Sequence, residues 1–363
     1  MSVRTDPLPG QCISETIRLK KQIGVGGMAT IWLAEDSALM RDVAVKFLSE
    51  GMCDRDEALE RFHQEAGAVA LIDSPHVPKV YGEGAMPDGT PFIVMELLTG
   101  VDLEAHLAAH GKLTLSQTEL LLSQLVAAVS AAHAIGIVHR DIKPENIFLT
   151  GPFLSDDHAN VVAKLLDFGI AKVGIDGRRG LTNPGFVMGT PSYMSPEQLV
   201  SSAEVDEKTD LWSLGVVVYF ALAGRLPFQG RNFGAIYASI CSREFPLISV
   251  LRPGLPEALD GWFRTALHHD PSARFQTASE MASAFGVAAR RPSAVALLGG
   301  TTRRWSGGSR ACVIGAAASV AALLVWESRQ AFTARPARPR SALVVEVAAT
   351  TQESAVRRSR TWP

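Results

Sequence analysis

The chain has 363 residues, of which 47% are hydrophobic and 20% are charged, and its formal net charge is −2. This composition predicts a well-packed globular core, and the absence of a basic stripe before residue 287 argues against a nucleic-acid partner. The four cysteines are scattered without CxxC spacing, so we expect free thiols rather than disulfides or a zinc site. The first twelve residues contain no apolar run, so no cleavable signal peptide is expected.

A glycine-rich hairpin follows a lead-in at residues 1–16. The segment Ile23-Gly24-Val25-Gly26-Gly27 lies between two strand-like runs and predicts a strand, a glycine turn and a second strand. Such a turn lets backbone N–H groups approach phosphates, because no Cβ blocks the way. A Rossmann dinucleotide fold is the alternative, but it needs a helix where β-branched and aromatic residues follow here.

The next elements combine strands with one helix. Residues 43–47 alternate in polarity and predict a strand that carries Lys46, and residues 55–71 predict an amphipathic helix that contains Glu65. Strands are also predicted over 76–82 and 92–96. The pattern then changes period: a capping box at 116–119 introduces a long helix over 120–135.

Chemistry concentrates in the segment His139-Arg140-Asp141-Ile142-Lys143-Pro144-Glu145-Asn146. It carries a carboxylate, an ammonium group and a carboxamide, and Asp167-Phe168-Gly169 follows after a predicted strand. Phosphoryl transfer needs a carboxylate to orient the attacking hydroxyl, a cation near the moving phosphate and oxygen ligands for Mg²⁺. Each residue alone is equally typical of a polar surface loop, but the ordered set favours phosphoryl transfer.

The remaining elements extend to about residue 286. A loop is predicted over 174–186, and it ends at Met188-Gly189-Thr190-Pro191-Ser192-Tyr193-Met194-Ser195-Pro196-Glu197. The apolar run after Asp210 is shorter than the ~20 residues of a membrane span, so it predicts a buried core helix. The segment at 269–275 contains Arg274.

Taken together, these motifs resemble the eukaryotic-type (Hanks-type) serine/threonine protein kinases in their bacterial form. The resemblance covers about residues 17–286, which it implies to be a protein kinase domain. The implied fold class is α+β and bilobal, with a small β-rich N-lobe at about 17–96 and a larger helical C-lobe at about 97–286. ATP and Mg²⁺ are the implied cofactors, bound in the cleft between the lobes.

The resemblance also implies a role for each motif residue. Asp141 is the catalytic base and Lys143 offsets the charge of the transferred group, while Asn146 and Asp167 hold the metal. The remaining residues implied to bind the nucleotide are Ile23, Gly24, Gly26, Gly27, Ile31, Ala44, Lys46, Glu65, Met95, Glu96, Leu98, Asp102 and Phe148. Among them, Glu65 pairs with Lys46, Met95 is the gatekeeper, Glu96 and Leu98 lie at the hinge, Asp102 contacts the ribose and Phe148 supports the adenine.

Regulatory and structural roles follow from the same resemblance. Arg140 is expected to hold a phosphorylated residue of the loop at about 170–195, and Thr182 is the best-placed hydroxyl. The Thr190 hydroxyl is expected to bond the catalytic Asp and Lys. Asp210 supports the catalytic-loop backbone, and Arg274 pairs with Glu197. The chain departs from the family at Ala29, which replaces the third glycine of the hairpin, and at Ser195, which replaces an alanine.

The implied function is transfer of the ATP γ-phosphoryl group to Ser or Thr hydroxyls of protein substrates, with autophosphorylation, in bacterial signalling. A homodimer for phosphorylation in trans is an expected partner. Two alternatives remain: a membrane-tethered pseudokinase scaffold and a nucleotide-binding sensor without a protein substrate. The first would normally lack one of Lys46, Asp141, Asn146 or Asp167. The second does not explain the segment at 188–197, which resembles the family's substrate-docking segment.

The last residues differ in composition. Residues 287–310 predict a basic linker, and 327–363 form a short tail rich in Arg and Pro. The run at 311–326 is uncharged and mostly apolar, although as a helix it is shorter than the bilayer core unless it extends back to Trp305. A surface-packed helix is the alternative. The sequence favours a single membrane span, with the kinase domain in the cytoplasm where ATP is available.

Overall fold

The computed structural model describes residues 7–26, 29–49, 56–151, 161–168, 191–200 and 205–291. Predictions that concern Gly27, Thr182, Thr190 and the loop at 174–186 lie outside the described residues. The same holds for the linker beyond residue 291, the proposed span at 311–326 and the tail at 327–363.

An antiparallel sheet of five strands forms the first lobe within the described residues. Its strands are β1 (Ile17–Val25), β2 (Ala29–Asp36), β3 (Arg41–Leu48), β4 (Val80–Ala85) and β5 (Pro91–Glu96). They lie in the order β1-β2-β3-β5-β4. The strands predicted at the glycine hairpin, at 43–47 and at 92–96 are confirmed. The strand predicted over 76–82 begins only at Val80, because Pro78 has no N–H to donate to a ladder.

Alternation along β3 gives the sheet two different faces. Val43, Val45 and Phe47 are almost fully buried on one face, in a core that includes Trp32 and Val94. Successive side chains of a strand point to opposite faces, so Lys46 lies on the other face. The candidate site residues Lys46 and Ala44 lie on that face.

Helix α1 (Asp56–Ala70) covers this second face and lies within one residue of the predicted bounds at each end. Phe62 and Ala66, four residues apart and hence on one side of the helix, are buried against Leu48 and Ile93. Burial of a Phe side chain contributes about 1.5–3 kcal/mol to folding. This packing fixes the rotation of α1 and directs Glu65 toward β3.

The second lobe is mostly helical. Its helices are α2 (Leu103–His110), α3 (Leu115–His133), α4 (Pro196–Val200), α5 (Lys208–Ala223), α6 (Phe233–Ser242), α7 (Ile248–Leu251), α8 (Ala258–Ala266) and α9 (Ala278–Ala289). Helix α5 is buried almost along its whole length, as predicted, and Trp212 stacks on Phe228 with ring centroids 5.4 Å apart. It ends at Gly224, whose φ of 70° suits a glycine in a left-handed cap. The predicted bilobal α+β architecture is confirmed.

Helix α3 begins earlier than the sequence pattern predicted. The side chain of Thr114 accepts a hydrogen bond from the Gln117 backbone N–H, and the Gln117 side chain accepts one from the Thr114 N–H. The capping box predicted at Ser116–Glu119 is therefore wrong, and the helix ends at His133 rather than 135. Leu113 is almost fully buried, which fixes the chain so that the first turn forms directly after Thr114.

A small sheet adjoins the candidate catalytic segments at 139–146 and 167–168. Its strands are β6 (Gly100–Asp102), β7 (Ile147–Thr150) and β8 (Val162–Leu165), paired in that order. Gly100 has a φ of 154°, and a Cβ there would collide with the carbonyl oxygen of Leu149. Only a glycine lets β6 approach β7 this closely. The pairing places Asp102 opposite Phe148.

Two features concern the end of the described chain and its thiols. Helix α9 continues three residues beyond the predicted domain boundary at 286, because Ala288 is still buried. None of the helices in the described ranges is long and apolar enough to cross a membrane. Cys12 and Cys241 are free and exposed thiols, whereas Cys53 and Cys312 lie outside the described residues.

Candidate active site

One buried carboxylate holds the backbone of the candidate catalytic loop at 139–146. Asp210, in the first turn of α5, accepts hydrogen bonds from the backbone N–H groups of His139 at 2.9 Å and Arg140 at 2.8 Å. The His133 Nε2 lies 2.8 Å from the same carboxylate. Arg140 has a φ of 65°, an uncommon conformation for a residue with a Cβ. The Asp210 carboxylate stabilises this strained backbone one residue before Asp141.

Asp141 lies within a network of its own loop. The Lys143 ammonium group is 3.1 Å from the Asp141 carboxylate, and the Asn146 amide donates to both the carbonyl and the carboxylate of Asp141 at 2.9 and 3.2 Å. A short 3₁₀ turn at Pro144–Asn146 brings Asn146 back toward Asp141. The structure thus brings together three of the predicted site residues.

His139 connects this loop to the segment before Asp167. The Asp141 backbone N–H donates to His139 Nδ1 at 3.2 Å, and His139 Nε2 lies 2.9 Å from the carbonyl oxygen of Leu166. These partners require Nε2 to carry the proton and Nδ1 to be the acceptor. Burial lowers the pKa of His139, which keeps the ring neutral. The ring also packs on Phe168, with centroids 4.5 Å apart.

Lys46 bridges two carboxylates. Its ammonium group is 2.8 Å from Glu65 and 2.9 Å from Asp167, and the lysine side chain is only 12% exposed. Burial alone would lower the pKa of Lys46, but the charges of Asp167 and Glu65 outweigh it and raise the pKa above its ordinary value. Burial raises the pKa of Glu65 in spite of Lys46, and the charge of Lys46 lowers the pKa of Asp167. Lys46 is therefore a fixed positive charge.

Asn146 and Asp167 have the chemistry of a magnesium site. The Asn146 amide nitrogen is used by Asp141, which leaves its oxygen as the group available for a cation, and the Asp167 side chain is 59% exposed. The Leu166 N–H donates to the Asn146 carbonyl at 2.8 Å, so the two segments are neighbours. Among the described residues no three His, Cys, Asp or Glu side chains gather as a metal cage. Mg²⁺ bound through phosphates and water needs only one or two protein ligands, so these residues fit.

The glycine hairpin joins β1 and β2. Gly26 donates its N–H to the Ala29 carbonyl at 2.8 Å, and Gly24 lies against Ile31. Ile23, on β1, and Ile31 are half-buried. The structure thus places three of the five predicted hairpin residues, Ile23, Gly24 and Ile31, on adjacent strands. Gly26 directly follows β1, and Gly27 lies outside the described residues.

The predicted adenine pocket lies along β3 and β5. Ala44 is buried on β3 directly opposite Met95 on β5, and Glu96 and Leu98 follow it, both half-buried. Phe148, on β7, is half-buried opposite Asp102. The predicted ribose ligand Asp102 also caps α2, because one carboxylate oxygen accepts from the Ala105 N–H at 2.7 Å.

Sequence reasoning missed one charged residue beside this pocket. Lys164 on β8 is buried, and its ammonium group lies 2.8 Å from the Glu96 carboxylate. The same carboxylate accepts the Lys79 N–H at 3.1 Å. The pair joins the hinge to the strand that leads to Asp167. A single lysine within the apolar run at 161–166 was the available signal, since a buried charge needs a partner.

The segment after residue 190 is anchored by a second ion pair. The Arg274 guanidinium makes two hydrogen bonds to the Glu197 carboxylate at 2.7 and 2.8 Å, and its side chain is fully buried. It also lies over the Trp212 ring. Burial would raise the pKa of Glu197, but the hydrogen bonds and charge of Arg274 outweigh it and lower the pKa. The predicted pairing of Arg274 with Glu197 is present.

The Arg140 guanidinium contacts the backbone that leads into α5. Arg140 Nη2 donates to the Val205 carbonyl at 3.3 Å. Its Nη1 is buried and has no hydrogen-bond partner among the described residues. Thr182 and Thr190 lie outside those residues.

The comparisons with known proteins agree with this geometry. A family model described as "Protein kinase domain" matches residues 17–285. The chain is 37% identical over 289 residues to the serine/threonine-protein kinase Pkn1 of Myxococcus xanthus and 34% identical over 274 residues to the serine/threonine-protein kinase PrkC of Bacillus subtilis. These alignments cover 78% and 76% of the chain but 39% and 40% of the relatives. The chain therefore spans about two-fifths of the length of these two relatives.

A solved structure shows the same similarity. The crystal structure of the PknI kinase domain of Mycobacterium tuberculosis matches with a TM-score of 0.60 and 26% sequence identity. The match covers 78% of this chain and the whole of that domain.

Proposed function

The chain belongs to the protein kinase family, and on that premise we propose that it transfers the γ-phosphoryl group of ATP to Ser and Thr hydroxyls of proteins. The observation that carries the proposal is the joint arrangement of two groups of side chains. Asp141 is bonded by Lys143 and Asn146, while Lys46 joins Glu65 to Asp167. His139 links the two groups through the Leu166 carbonyl.

Each residue has a distinct task in the proposed reaction. Asp141 orients the acceptor hydroxyl and accepts its proton, and Lys143 offsets negative charge on the transferred group. Lys46, held as a cation by its two carboxylates, positions the α- and β-phosphates. Asn146 and Asp167 would hold Mg²⁺, which neutralises developing phosphate charge when bound.

The preference for Ser and Thr has two supports. Lys143, two residues after the catalytic base, is typical of the Ser/Thr branch that the sequence resembles. The curated relatives carry serine/threonine-protein kinase in their names. The proposal extends that specificity to this chain.

Location and assembly are finer parts of the proposal. Because the reaction consumes cellular ATP, we place the kinase domain in the cytoplasm, with 311–326 as a single membrane span. A homodimer would let one copy phosphorylate the other. These statements rest on the sequence alone.

Phosphate transfer to a generic acceptor tests the proposed function. Purified chain, γ-labelled ATP and dephosphorylated casein should give labelled casein with Mg²⁺ and none with excess chelator. Asp141→Asn should lower the rate by about 10²–10⁴-fold, because general base catalysis is lost. ATP binding, measured by calorimetry, should persist in the variant. A wild-type rate equal to that of Asp141→Asn would contradict the proposal and favour a scaffold.

A further inference from the structure

Two side chains bind the backbone of Arg140, one at its N–H group and the other at its carbonyl oxygen. Asp210 accepts its N–H at 2.8 Å, while its carbonyl oxygen accepts a hydrogen bond from the Gln198 side chain at 2.9 Å. Arg140 has the positive φ described above and directly precedes Asp141. Its carbonyl belongs to the peptide group that enters Asp141, so the contact with Gln198 bears directly on the direction of the Asp141 backbone.

Both ends of the Gln198 amide are used. The oxygen Oε1 accepts from the Ser195 backbone N–H at 3.0 Å, and Nε2 donates to the Arg140 carbonyl. A backbone N–H can only donate and a carbonyl can only accept, so the two partners fix the orientation of the amide. Gln198 thus touches the segment at 191–200 with one atom and the catalytic loop with the other.

Ser195 holds the other side of this link. Its hydroxyl lies 3.3 Å from the Gln198 backbone N–H and 2.6 Å from the Thr209 hydroxyl, and Ser195 is fully buried. Thr209 directly precedes Asp210, the residue that holds the N–H side of Arg140. Hydrogen bonds therefore connect Asp210 to Thr209 through Arg140, Gln198 and Ser195, and the Thr209–Asp210 peptide bond closes the ring.

We propose that Gln198 is a positioning residue for phosphoryl transfer, which orients Asp141 through the Arg140 carbonyl and couples it to the segment at 191–200. This inference rests on the proposed function. Under this proposal, Asp141 keeps a fixed position relative to the segment at 191–200, which overlaps the segment that resembles the family's substrate-docking segment. The acceptor hydroxyl is therefore aligned with Asp141, its base.

The competing explanation is that Gln198 only caps α4. Gln198→Glu separates the two roles, because a glutamate at this position of a capping box still accepts from the Ser195 N–H. It cannot donate to the Arg140 carbonyl. The chain offers a matched control in Gln117→Glu, which changes the same residue type at the same position of the α3 capping box.

The test measures the single-turnover rate of transfer to casein, the dissociation constant for ATP and the thermal midpoint. Loss of one positioning hydrogen bond should lower the rate by about ten-fold in Gln198→Glu, while ATP affinity and the midpoint match those of Gln117→Glu. A Gln198→Glu rate within about two-fold of Gln117→Glu would overturn the proposal. A rate loss matched by loss of ATP affinity and of the thermal midpoint would overturn it too.

A second variant covers a failure to fold. If Gln198→Glu does not fold, Gln198→Met removes the donor together with the capping acceptor and adds no charge. Its matched control is Gln117→Met, which removes the capping acceptor of α3, and the same comparison of rate with ATP affinity decides. An inactive wild-type chain would instead contradict the proposed function itself, so the two failures are distinguishable.

Discussion

Lys46 is the residue on which the charge balance of the cleft depends. It is the cation shared by Glu65, which is half-buried, and Asp167, whose side chain is largely exposed. An uncompensated buried carboxylate is unfavourable and tends to take up a proton. Lys46 lies between the two carboxylates, and its charge opposes the effect of burial on Glu65 and lowers the pKa of Asp167.

We therefore expect Lys46→Met to lower phosphate transfer to casein by about 10²–10³-fold, through loss of electrostatic stabilisation and of phosphate positioning. Lys20→Met is the matched control. Lys20 lies in the same sheet and also contacts two carboxylates, of Glu35 and Asp42, but at an exposed site. Transfer rates of both variants check the prediction, and a Lys46→Met rate close to that of Lys20→Met would contradict it.

The Arg140 guanidinium is the predicted partner of a phosphorylated threonine. Its buried Nη1 has no partner among the described residues, and a phosphate on Thr182 would supply a charge near −2 with strong acceptor oxygens. We expect phosphate on Thr182 after incubation with ATP, located by mass spectrometry. Thr182→Ala should lower turnover and leave ATP affinity nearly unchanged. A fully active Thr182→Ala chain would rule out this switch.

Single residues show how far sequence reasoning reaches. The roles of Lys46, Asp141, Asn146 and Asp167 were predicted from the resemblance to the kinase family. The structure places each of them in contact with another predicted site residue. Gln198 was missed, although Ser195 and Gln198 have the spacing of a capping box. A capping pattern predicts the bond to Ser195, but the bond to Arg140 depends on how distant segments fold together.

Between elements, the Glu197–Arg274 pair joins α4 to the turn at Pro271–Ala273. Arg274 is fully buried, so removal of its partner leaves a buried charge. We expect Glu197→Gln to lower the free energy of unfolding by about 3 kcal/mol near neutral pH, measured by chemical denaturation.

This contribution should depend on pH with a defined sign. The folded pKa of Glu197 lies below its ordinary value of 4.5, so the stabilisation is fully present above pH 4.5 and is lost as pH falls through the folded pKa. The difference between wild type and Glu197→Gln should therefore be largest above pH 4.5 and shrink as the pH is lowered from there through the folded pKa. A difference that stays constant as the pH is lowered below 4.5 would show that the charge of Glu197 plays no part.

The start of α3 shows why element boundaries were harder to predict than elements. Two overlapping capping patterns, Thr114 with Gln117 and Ser116 with Glu119, are equally good in local sequence. The choice is made by tertiary packing, since Leu113 is buried and its N–H donates to the Ala221 carbonyl of α5 at 2.9 Å. Periodicity predicts the helix, and its first residue depends on contacts with another element.

At the scale of the whole molecule, the proposed membrane span predicts different behaviour for the full chain and for a chain that lacks the span. If 311–326 crosses a bilayer, the 363-residue chain should sediment with membranes and resist carbonate extraction. A chain that ends at residue 291 should remain in the supernatant, because none of the helices in the described part meets the requirements of a span. Recovery of the full chain in the supernatant would end the membrane proposal and leave the kinase proposal intact.

The central claim is that this cleft is a working phosphotransferase rather than an ATP-binding scaffold. Phosphoamino-acid analysis of the purified chain after incubation with Mg²⁺ and ATP tests it most directly, with calorimetry of ATP binding on the same sample. We predict phosphoserine and phosphothreonine on the wild-type chain and neither on Asp141→Asn, with ATP bound by both. A folded wild-type chain that binds ATP and acquires no phosphate on Ser or Thr would contradict the account.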